Sequence, residues 1–393
     1  MIVVIADDLT GAGEIGGIGL ACGLKVQLQT RTPHSCDADL LVVDSDTRSC
    51  SPDAAGKQVR DIAQKIKSSN LDVELIYKKT DSVLRGPVAA ELDAIMEVFD
   101  AERVLLIPAN PSKGRTVSNG MYYINGVPLD ETQFAHDPEY PAATCGVLDL
   151  AGLSGADRLY LAWPGQTLFS KGISVGQAQS TDDLVRFCSS IDNGIIAAGA
   201  GEFFEKLLVH KGFVKTPADC NKDFIPEHKA LFVCGSSTVS SRQAIRKAQD
   251  FGAKVCSMPE ELFFNDAPEA VICDGWADEI GLNLSSRNAV IMAIDREPVE
   301  NAGFARKLSD TMAETVSKIL DKHRIPELFI EGGATACRIV DRLGFNRFEP
   351  CDLLADGVVR MKVLNRENTF ITIKPGSYRW PENIWRKNTF QLQ

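Results

Sequence analysis

Short apolar runs that end in polar or charged residues recur along this chain, and amphipathic stretches separate several of them. They read IVVIA, DLLVVD, VELIYKK, RVLLIPA and GIIAAG in the first half, and ALFVCG, AVIMAID, ELFIEGG, GVVRMKVL and TFITIKPG in the second. Such runs are typical of strands that are buried on both faces of a parallel sheet. The alternation predicts an α/β protein whose mostly parallel sheets are flanked by helices.

The stretch KGFVKTPADCNKDFIPEHKA separates the two series of runs; it is polar, contains prolines and lacks helical periodicity. A chain of 393 residues is long enough for two or three domains. We therefore predict a domain over 1–210, a linker over 211–229 and a second domain over 230–393. Ser51 and Pro52 precede an amphipathic stretch, which predicts a capped helix that begins at Pro52.

Composition excludes several classes of partner. The net charge of −11 is opposite to the dense basic surface that binds nucleic acid or an anionic membrane, and no run is apolar enough to span a bilayer. The acids that follow MIVVIA argue against a signal peptide. Eleven scattered cysteines without a C-x-x-C pair favour reduced thiols over a zinc site, so we expect a cytoplasmic protein.

Ligands of open α/β sheets bind at the carboxyl ends of the strands, so the residues directly after each predicted strand are informative. In the first half they are Asp7, Asp8, Asp44, Asp46, Arg48, Lys79, Asp81, Ser82 and Asn110. If the strands are neighbours, these groups converge on one acidic crevice that contains a few cations. Such a crevice suits a polyhydroxylated substrate, a bound cation, or both.

The spacing G-x-G-x-x-G of dinucleotide-binding turns occurs near the start of the chain, at Gly11, Gly13 and Gly16. Its context differs from that motif, because Asp7 and Asp8 stand where a pyrophosphate would approach and would repel it. We interpret Thr10 instead as the N-cap of a helix that begins at Gly11. An NAD-dependent hydroxy-acid oxidoreductase that uses these glycines is kept as an alternative function.

In the second half, CGSSTVSS, EGGATA and KPGS each place glycine and small hydroxyl residues directly after an apolar run. Turns of this composition expose backbone N–H groups that bind phosphate oxygens, and a following helix adds its positive N-terminus. Three such turns in one domain favour a nucleotide-binding site. The sequence G-x-x-x-x-G-K-[ST] does not occur, which excludes a P-loop NTPase.

The stretch IADDLTGA resembles a motif of the four-carbon acid sugar kinase family, long catalogued as a domain of unknown function. The resemblance continues, in the family's order, through KKTDSVLRG, IPANPSKGRTVSNGMYYINGVPLDET, VCGSSTVSSRQAI, FIEGGATA and ITIKPGS. It implies a two-domain α/β kinase. The N-terminal domain would hold the acid sugar, the C-terminal domain would hold ATP, and the active site would lie in the interdomain cleft.

The resemblance also implies which residues bind each substrate. Sugar-acid contacts are expected at Asp8, Arg48, Lys79, Thr80, Asp81 and Ser82. ATP contacts are expected at Ser236, Gly332, Gly333, Ala334, Thr335 and Gly376. The family often carries an acid at the position of Ala334 and a Gly-Phe-Gly-like ending after the last motif, where this chain reads GSYRWP.

The chemistry of these residue types agrees with a sugar acid as ligand. Arg48 or Lys79 can neutralise its carboxylate, and Asp8 and Asp81 can accept hydrogen bonds from its hydroxyls. Three further cations, for which the sequence leaves both a ligand contact and a solvated surface position open, are Arg85, Lys113 and Arg115.

Two carboxylates are candidates for the base that accepts the hydroxyl proton. Asp8 is adjacent to Asp7, and two neighbouring carboxylates raise at least one pKa toward the value that a general base requires. Asp81 lies two residues after Lys79, so in an extended segment both side chains point to one face and Lys79 lowers the pKa of Asp81. We therefore predict Asp8 as the base and Asp81 as the group that orients the substrate.

The combined prediction is an ATP-dependent kinase that phosphorylates the terminal hydroxyl of a four-carbon sugar acid such as threonate, erythronate or an oxo-tetronate. Mg²⁺ is the expected cofactor. Its protein ligands are unassigned, with Asp7 acting through water as one alternative. A non-catalytic sensor of sugar acids or nucleotides is a second alternative function. The expected partners are the sugar acid and ATP, without nucleic acid or membrane, and a homodimer is left open.

Overall fold

The computed structural model describes residues 1–69, 71–137, 140–153, 159–192, 194–215, 224–226, 228–264, 270–297, 302–376, 378–385 and 389–390. The chain divides into two compact units, Met1–Pro217 and Ala218–Gln393. Much of the predicted linker over 211–229 lies outside the described residues, at 216–223 and 227.

The strands of the first unit are β1 (Ile2–Ala6), β2 (Val26–Thr30), β3 (Leu40–Asp44), β4 (Leu75–Lys79), β5 (Arg103–Ile107), β6 (Arg115–Ser118), β7 (Met121–Ile124), β8 (Val127–Pro128), β9 (Leu159–Ala162), β10 (Gly172–Gly176) and β11 (Ile195–Gly199). Its helices are α1 (Leu9–Ala21), α2 (Pro52–Ser68), α3 (Val88–Phe99), α4 (Val147–Leu150), α5 (Thr181–Cys188) and α6 (Gly201–His210).

Eight of these strands pair in the order β2-β3-β1-β4-β11-β5-β10-β9, and every pairing along this order is parallel. The five apolar runs predicted as strands are β1, β3, β4, β5 and β11, so the prediction of a mostly parallel sheet is confirmed. The predicted helix start is also confirmed, because Ser51 caps α2 and Pro52 is its first residue. Helices α2 and α3 pack against each other, as do α1 and α6.

A small antiparallel sheet, β6-β7-β8, follows β5 and was not predicted from the sequence. Both of its connections are two-residue Asn-Gly turns. Asn119 and Gly120 have φ values of 51° and 76°, and Asn125 and Gly126 have φ values of 51° and 82°. Turns with two positive φ angles match the twist of antiparallel strands, and Asn-Gly is their preferred sequence. These dipeptides are the signal that could have predicted the hairpins.

The strands of the second unit are β12 (Ala230–Cys234), β13 (Lys254–Ser257), β14 (Ala289–Ala293), β15 (Glu327–Glu331), β16 (Arg347–Ala355), β17 (Val358–Val363) and β18 (Phe370–Lys374). Its helices are α7 (Val239–Asp250), α8 (Glu260–Phe264), α9 (Ala270–Ser286), α10 (Ala302–Lys322) and α11 (Gly333–Arg342).

The strands of the second unit pair in the order β13-β14-β12-β15-β18-β17-β16. The pairings are parallel from β13 to β18, and the last two, β18-β17 and β17-β16, are antiparallel. An aromatic core that includes Phe232, Phe329, Trp380 and Trp385 packs on this sheet. Within the described part of the chain, no helix has both the length and the apolar character that a membrane crossing requires.

Candidate active site

The carboxyl ends of three neighbouring strands of the first unit, β3, β1 and β4, lie at one level. Ala6, at the end of β1, pairs with Asp44 at the end of β3 and with Lys79 at the end of β4. The segments that follow these strands therefore start side by side, as the sequence predicted for a ligand-binding edge. Asn110 is further along the sheet, because β11 lies between β4 and β5.

Arg48 contacts three carboxylates at this edge. Its Nε donates to Asp7 Oδ2 at 2.9 Å, and its Nη1 donates to Asp8 Oδ2 at 2.5 Å. Its Nη2 lies 3.7 Å from Asp81 Oδ1. Because the Arg48 side chain is only 18% exposed, solvent ions screen these contacts little. One guanidinium thus holds together three of the carboxylates that the sequence placed in one crevice.

Asp81 forms a bidentate ion pair with Arg85. The Arg85 Nε and Nη2 donate to the two carboxylate oxygens of Asp81, each at 2.9 Å, and Nη1 donates to Asp137 Oδ2 at 3.0 Å. Burial raises the pKa of Asp81, but Arg85 and Arg48 outweigh burial and hold that pKa well below its ordinary value. Asp81 is therefore an ionised and rigidly held acceptor. Arg85 is thus paired with two carboxylates and is not a solvated surface cation, while its contact with a ligand stays a prediction.

Asp8 is the N-cap of α1. Its Oδ1 accepts a hydrogen bond from the backbone N–H of Gly11 at 2.7 Å, and its Oδ2 accepts from the Thr10 hydroxyl as well as from Arg48. The interpretation of Thr10 as the cap of a helix beginning at Gly11 was wrong, because α1 begins at Leu9. Aspartate caps helices at least as well as threonine, and the extended backbone of Asp8 brings its carboxylate to the first free N–H groups.

Asp7 is almost fully buried, at 2% exposure. Its Oδ2 accepts from Arg48 and from the backbone N–H of Asp81 at 3.1 Å, whereas its Oδ1 has no hydrogen-bond partner among the residues described. Burial raises the pKa of Asp7, but Arg48 and two buried lysines together outweigh burial, so the pKa lies below its ordinary value. The expected mutual repulsion of Asp7 and Asp8 is thus offset by the cation that they share.

Lys79 pairs with Glu14 of α1, a residue that the sequence analysis did not single out. Lys79 Nζ lies 3.4 Å from Glu14 Oε2 and donates to the carbonyl oxygen of Thr80 at 2.9 Å, while Lys113 Nζ donates to Glu14 Oε1 at 3.1 Å. Lys79 helps to lower the pKa of Asp81, as predicted, but the ion-pair partners of these two side chains are Glu14 and Arg85, because β4 ends at Lys79 and the alternation of side chains ends with it. One carboxylate is instead shared by two lysines.

Thr80 and Ser82 complete the residues predicted to bind a sugar acid. Thr80 is fully buried, and its hydroxyl has no hydrogen-bond partner within the described ranges. Arg115, at the start of β6, donates to Ser82 Oγ, and the Tyr122 hydroxyl donates to the Ser82 carbonyl oxygen at 2.5 Å. The antiparallel hairpin therefore brings cations of the 110–120 segment to this cluster, where Lys113 also contacts Glu14.

Beneath this edge lies a buried ion pair that the sequence analysis missed. Lys78 and Glu91 are 0% and 1% exposed, and Lys78 Nζ lies 3.1 Å from Glu91 Oε1. The Thr47 hydroxyl donates to the same carboxylate, and burial raises the pKa of Glu91. The signal that could have found this pair is the double lysine that ends an apolar strand, since successive side chains point to opposite faces of a sheet.

The three glycine-containing turns of the second unit follow β12, β15 and β18, which are neighbours in its sheet. The backbone N–H of Gly332, after β15, donates to the carbonyl oxygen of Lys374, at the end of β18, at 3.0 Å. A Cβ on Gly235, after β12, would collide with the Thr335 side chain, so only glycine permits this close approach. The three turns predicted to bind phosphate therefore converge on one edge.

Two of these turns lead into helices. Thr238 caps α7 with its hydroxyl, whereas Gly332, which precedes α11, has a φ of 101° and provides no side-chain cap. The N-cap residue therefore offers no side-chain acceptor to the first N–H groups of α11, which can bind an anion that the helix dipole also favours. The first turn of α11 contains three of the predicted ATP contacts, Gly333, Ala334 and Thr335.

Ser236 and Gly376, the remaining predicted ATP contacts besides Gly332, lie on the first and third turns. A Cβ on Gly376 would lie 3.8 Å from Ser236 Oγ, which itself donates to Thr238 Oγ1 at 3.1 Å. All the residues predicted to contact ATP are thus at the carboxyl ends of three adjacent strands, where a parallel sheet binds its ligands.

The glycines that suggested a dinucleotide-binding turn, Gly11, Gly13 and Gly16, lie inside α1. In a dinucleotide site the first glycines form the turn between strand and helix, and the helix N-terminus faces the pyrophosphate. Here the Asp8 carboxylate occupies that position and accepts from the Gly11 N–H. The geometry of this turn gives no support to an NAD site.

Two family models match the chain. The model described as the sugar-binding N-terminal domain matches residues 2–159, and the model described as the nucleotide-binding C-terminal domain matches residues 231–378. The first range contains the Arg48 cluster, and the second contains the three converging turns.

Several curated relatives are named as kinases. A D-threonate kinase of Salmonella typhimurium is 26% identical over 87% of this chain and 86% of its own length. A 3-oxo-tetronate kinase of Haemophilus influenzae is 23% identical over 96% of this chain and 97% of its own length. A D-erythronate kinase of Heliobacterium modesticaldum is 26% identical over 63% of this chain and 60% of its own length.

Solved structures share the fold. A Haemophilus influenzae protein has a TM-score of 0.72 at 20% identity and covers 99% of this chain and 100% of its own. A Salmonella typhimurium protein described as a putative tRNA synthase has a TM-score of 0.77 at 18% identity, with 98% of both chains covered. The two family models and the named relatives together show that the chain belongs to the four-carbon acid sugar kinase family.

Proposed function

We propose that this chain is a kinase that transfers the γ-phosphoryl group of ATP to the terminal hydroxyl of a four-carbon sugar acid. The observation that carries the proposal is the cluster in which Arg48 joins Asp8 and Asp81, inside the range matched by the sugar-binding domain model. A sugar acid offers the complementary groups, one carboxylate and several hydroxyls. The names of the relatives support four-carbon acids as the substrate class.

In the proposed reaction, Arg48 and Lys79 neutralise the substrate carboxylate, and the buried hydroxyl of Thr80 offers it a hydrogen bond. Asp81, which Arg85 holds ionised, accepts a hydrogen bond from a substrate hydroxyl and orients it. The oxygen of the substrate hydroxyl bonds to the γ-phosphorus while the bond between that phosphorus and the ADP oxygen breaks. Asp8 accepts the proton that the hydroxyl loses.

The second unit would hold the nucleotide through backbone N–H groups of the three turns and the N-terminus of α11. Mg²⁺, when bound, neutralises charge on the phosphates, and it usually reaches a protein through one or two oxygen ligands besides those phosphates. The hydroxyl of Ser236, on the first turn, is an oxygen of this kind. The three glycine-containing turns support a nucleoside triphosphate as the phosphoryl donor, and the kinase names of the relatives support the same donor independently.

A coupled assay for ADP release with a panel of sugar acids tests the proposal. We expect turnover with at least one of threonate, erythronate and 3-oxo-tetronate, and little turnover with the matching neutral sugar alcohols. Absence of ATP turnover on every four- to six-carbon acid would contradict the proposal. Tight binding of an acid without ADP release would select the sensor alternative instead.

The NAD-dependent alternative is separated by thermal unfolding with added ligand. A ligand that binds only the folded chain stabilises it, by about 2.7 kcal/mol when the free ligand concentration is a hundred times its Kd. The melting temperature of the chain therefore rises. We expect Mg-ATP to raise the melting temperature and NAD to leave it unchanged. A shift with NAD alone would favour the oxidoreductase.

A further inference from the structure

A buried ion pair lies directly behind the third turn of the second unit. Glu331, the last residue of β15, and Lys374, the last residue of β18, are each about 1% exposed, and Lys374 Nζ lies 3.1 Å from Glu331 Oε1. Trp380 Nε1 donates to the other oxygen of Glu331 at 3.2 Å. The carboxylate is therefore fixed from two sides, and it in turn fixes the ammonium.

The same ammonium gathers backbone carbonyl groups of the turn. Lys374 Nζ donates to the carbonyl oxygens of Pro375 at 2.9 Å and Tyr378 at 2.6 Å, and it lies 3.5 Å from that of Gly376. An ammonium has three donors and no acceptor, so its hydrogen-bonding capacity is committed to the turn and to Glu331. The turn is thus closed around a single buried cation.

This arrangement determines the direction of the backbone N–H groups. In a trans peptide unit the C=O and the N–H point in opposite directions across a rigid plane. Because the carbonyl of Pro375 points inward to Lys374, the N–H of Gly376 in the same peptide unit points outward, away from the cation. Gly376 has no side chain to cover that N–H, and Ser236 lies beside it.

We propose that Glu331 and Lys374 are positioning residues for phosphate binding: they aim the N–H of the Gly376 turn at the nucleotide without touching it. The inference rests on the proposed function, since it takes the nucleotide to bind at these turns. A role in phosphate binding also explains why both charges are buried, although their burial is energetically unfavourable. A buried ion pair is replaced by apolar residues with little or no loss of stability in many proteins, so stability alone does not require one here.

The chain offers a matched control at the other end of the same strand. Glu327, the first residue of β15, is 1% exposed and pairs with Arg360 of β17, whose Nη2 lies 2.5 Å from Glu327 Oε1. Arg360 donates to the side chains of Glu327 and Asp352, and Glu327 lies at the opposite end of β15 from Glu331 and the turn at Gly332. Removal of this pair therefore tests the loss of a buried ion pair without a change at the phosphate turns.

The experiment compares the double variants E331Q/K374M and E327Q/R360M with wild type. Each double variant removes both charges of its pair, and Asp352, the other partner of Arg360, is 27% exposed to solvent, so no unpaired charge is left buried. Calorimetry gives the Kd for Mg-ATP and for the acid that the wild type turns over best, and thermal unfolding reports stability. We expect E331Q/K374M to weaken Mg-ATP binding by about tenfold or more, with the acid Kd unchanged. The control is expected to bind both ligands as wild type does.

Equal Mg-ATP affinity in wild type and E331Q/K374M would overturn the inference and leave the proposed function intact. Absence of Mg-ATP binding in the wild type would overturn the proposed function, and the inference with it. If the double variant does not fold, E331Q alone decides: Lys374 keeps its carbonyl acceptors but loses its anchor, so Mg-ATP affinity should fall by about threefold. Unchanged affinity in E331Q would then overturn the inference.

Discussion

Lys79 Nζ lies 3.4 Å from Glu14 Oε2, and the other oxygen of that carboxylate accepts from Lys113. Burial lowers the pKa of Lys79, but Glu14, together with Asp7 and Asp8, outweighs burial and raises it above the ordinary value for lysine. Glu14 therefore keeps a desolvated ammonium charged at the edge where a substrate carboxylate is proposed to bind.

The first prediction concerns this pair. Glu14→Gln keeps the shape of the side chain but removes its charge, so burial and the nearby Arg48 lower the pKa of Lys79 with less opposition. A lysine that deprotonates at lower pH stops attracting a carboxylate at lower pH. We expect acid binding in the variant to weaken between about pH 7 and about pH 10, before it does in wild type.

Calorimetric Kd values for the preferred acid across that pH range check this prediction. Glu97→Gln is a matched control, because Glu97 pairs with Arg60 on the exposed surface of the same unit. Identical pH profiles for wild type and Glu14→Gln would contradict a role for Lys79 in binding the acid.

Arg48→Ala tests the other cation. Loss of the guanidinium should raise the Kd of the acid by about tenfold or more, because a charge-assisted hydrogen bond is lost, and should leave Mg-ATP binding unchanged. The neutral sugar alcohol should lose less affinity than the acid. An equal loss for acid and alcohol would show that Arg48 acts only by holding Asp7, Asp8 and Asp81 together. Arg60→Ala, which removes a surface arginine, is the control for charge alone.

Arg85→Met should reveal the ion pair with Asp81 in the pH dependence of stability. The pKa of Asp81 is lowered in the folded chain, so its ionised form stabilises the fold above about pH 4, and this contribution is lost as the pH falls through the lowered pKa. We expect the variant to be less stable than wild type by about 2 kcal/mol at neutral pH. Urea unfolding should show this difference shrinking below about pH 3. The same difference at both pH values would contradict the assignment.

Most of the sheet could be predicted because its strands are buried on both faces and therefore appear as continuous apolar runs. β1 and β15 show this, with every residue of IVVIA and ELFIE buried. β2 was missed because its sequence, VQLQT, is half polar, although Gln29 is fully buried through hydrogen bonds to its own strand and to the backbone of His34. Polarity alone does not show that a side chain has found partners.

The convergence of the candidate site residues was predictable, but the pairings among their side chains were not. Strand ends placed Asp8, Arg48 and Asp81 at one edge, and the structure brings them together. The pairing of cations with carboxylates depends on the directions of the side chains that follow each strand. The backbone conformation of the turns sets these directions, and the local sequence does not predict that conformation. Glu14 was missed for this reason, since it reaches Lys79 from the second turn of α1.

Substitutions at two glycines of the second unit distinguish steric blocking of the phosphate from strain in the backbone. Gly376→Val should raise the KM for ATP strongly and leave acid binding nearly intact, because the side chain would block the approach of phosphate to the backbone. Gly332→Val should do the same and also lower stability, since a φ of 101° is unfavourable for any other residue. Gly275→Val is the control, in a helix with open space around the glycine. An unchanged KM for ATP in both turn variants would refute the nucleotide assignment of this unit.

The last prediction concerns the base. Asp81 is held by two N–H groups of Arg85, and its lowered pKa makes it a weak proton acceptor. Among the described residues, the one arginine that contacts Asp8 is Arg48, which Asp8 shares with Asp7. Because asparagine caps helices about as well as aspartate, Asp8→Asn should leave α1 intact. We expect it to lower kcat by about 10²-fold or more with little change in the KM for ATP.

Asp81→Asn provides the comparison for that variant. If Asp81 orients the substrate, its loss should raise the KM for the acid more than it lowers kcat, because binding and not proton transfer is impaired. Steady-state kinetics of both variants with the same acid, together with their melting temperatures, distinguish the roles. A near-normal kcat in Asp8→Asn with no measurable kcat in Asp81→Asn would reverse the two assigned roles. An asparagine amide cannot accept the proton, so the base is the residue whose asparagine variant loses kcat.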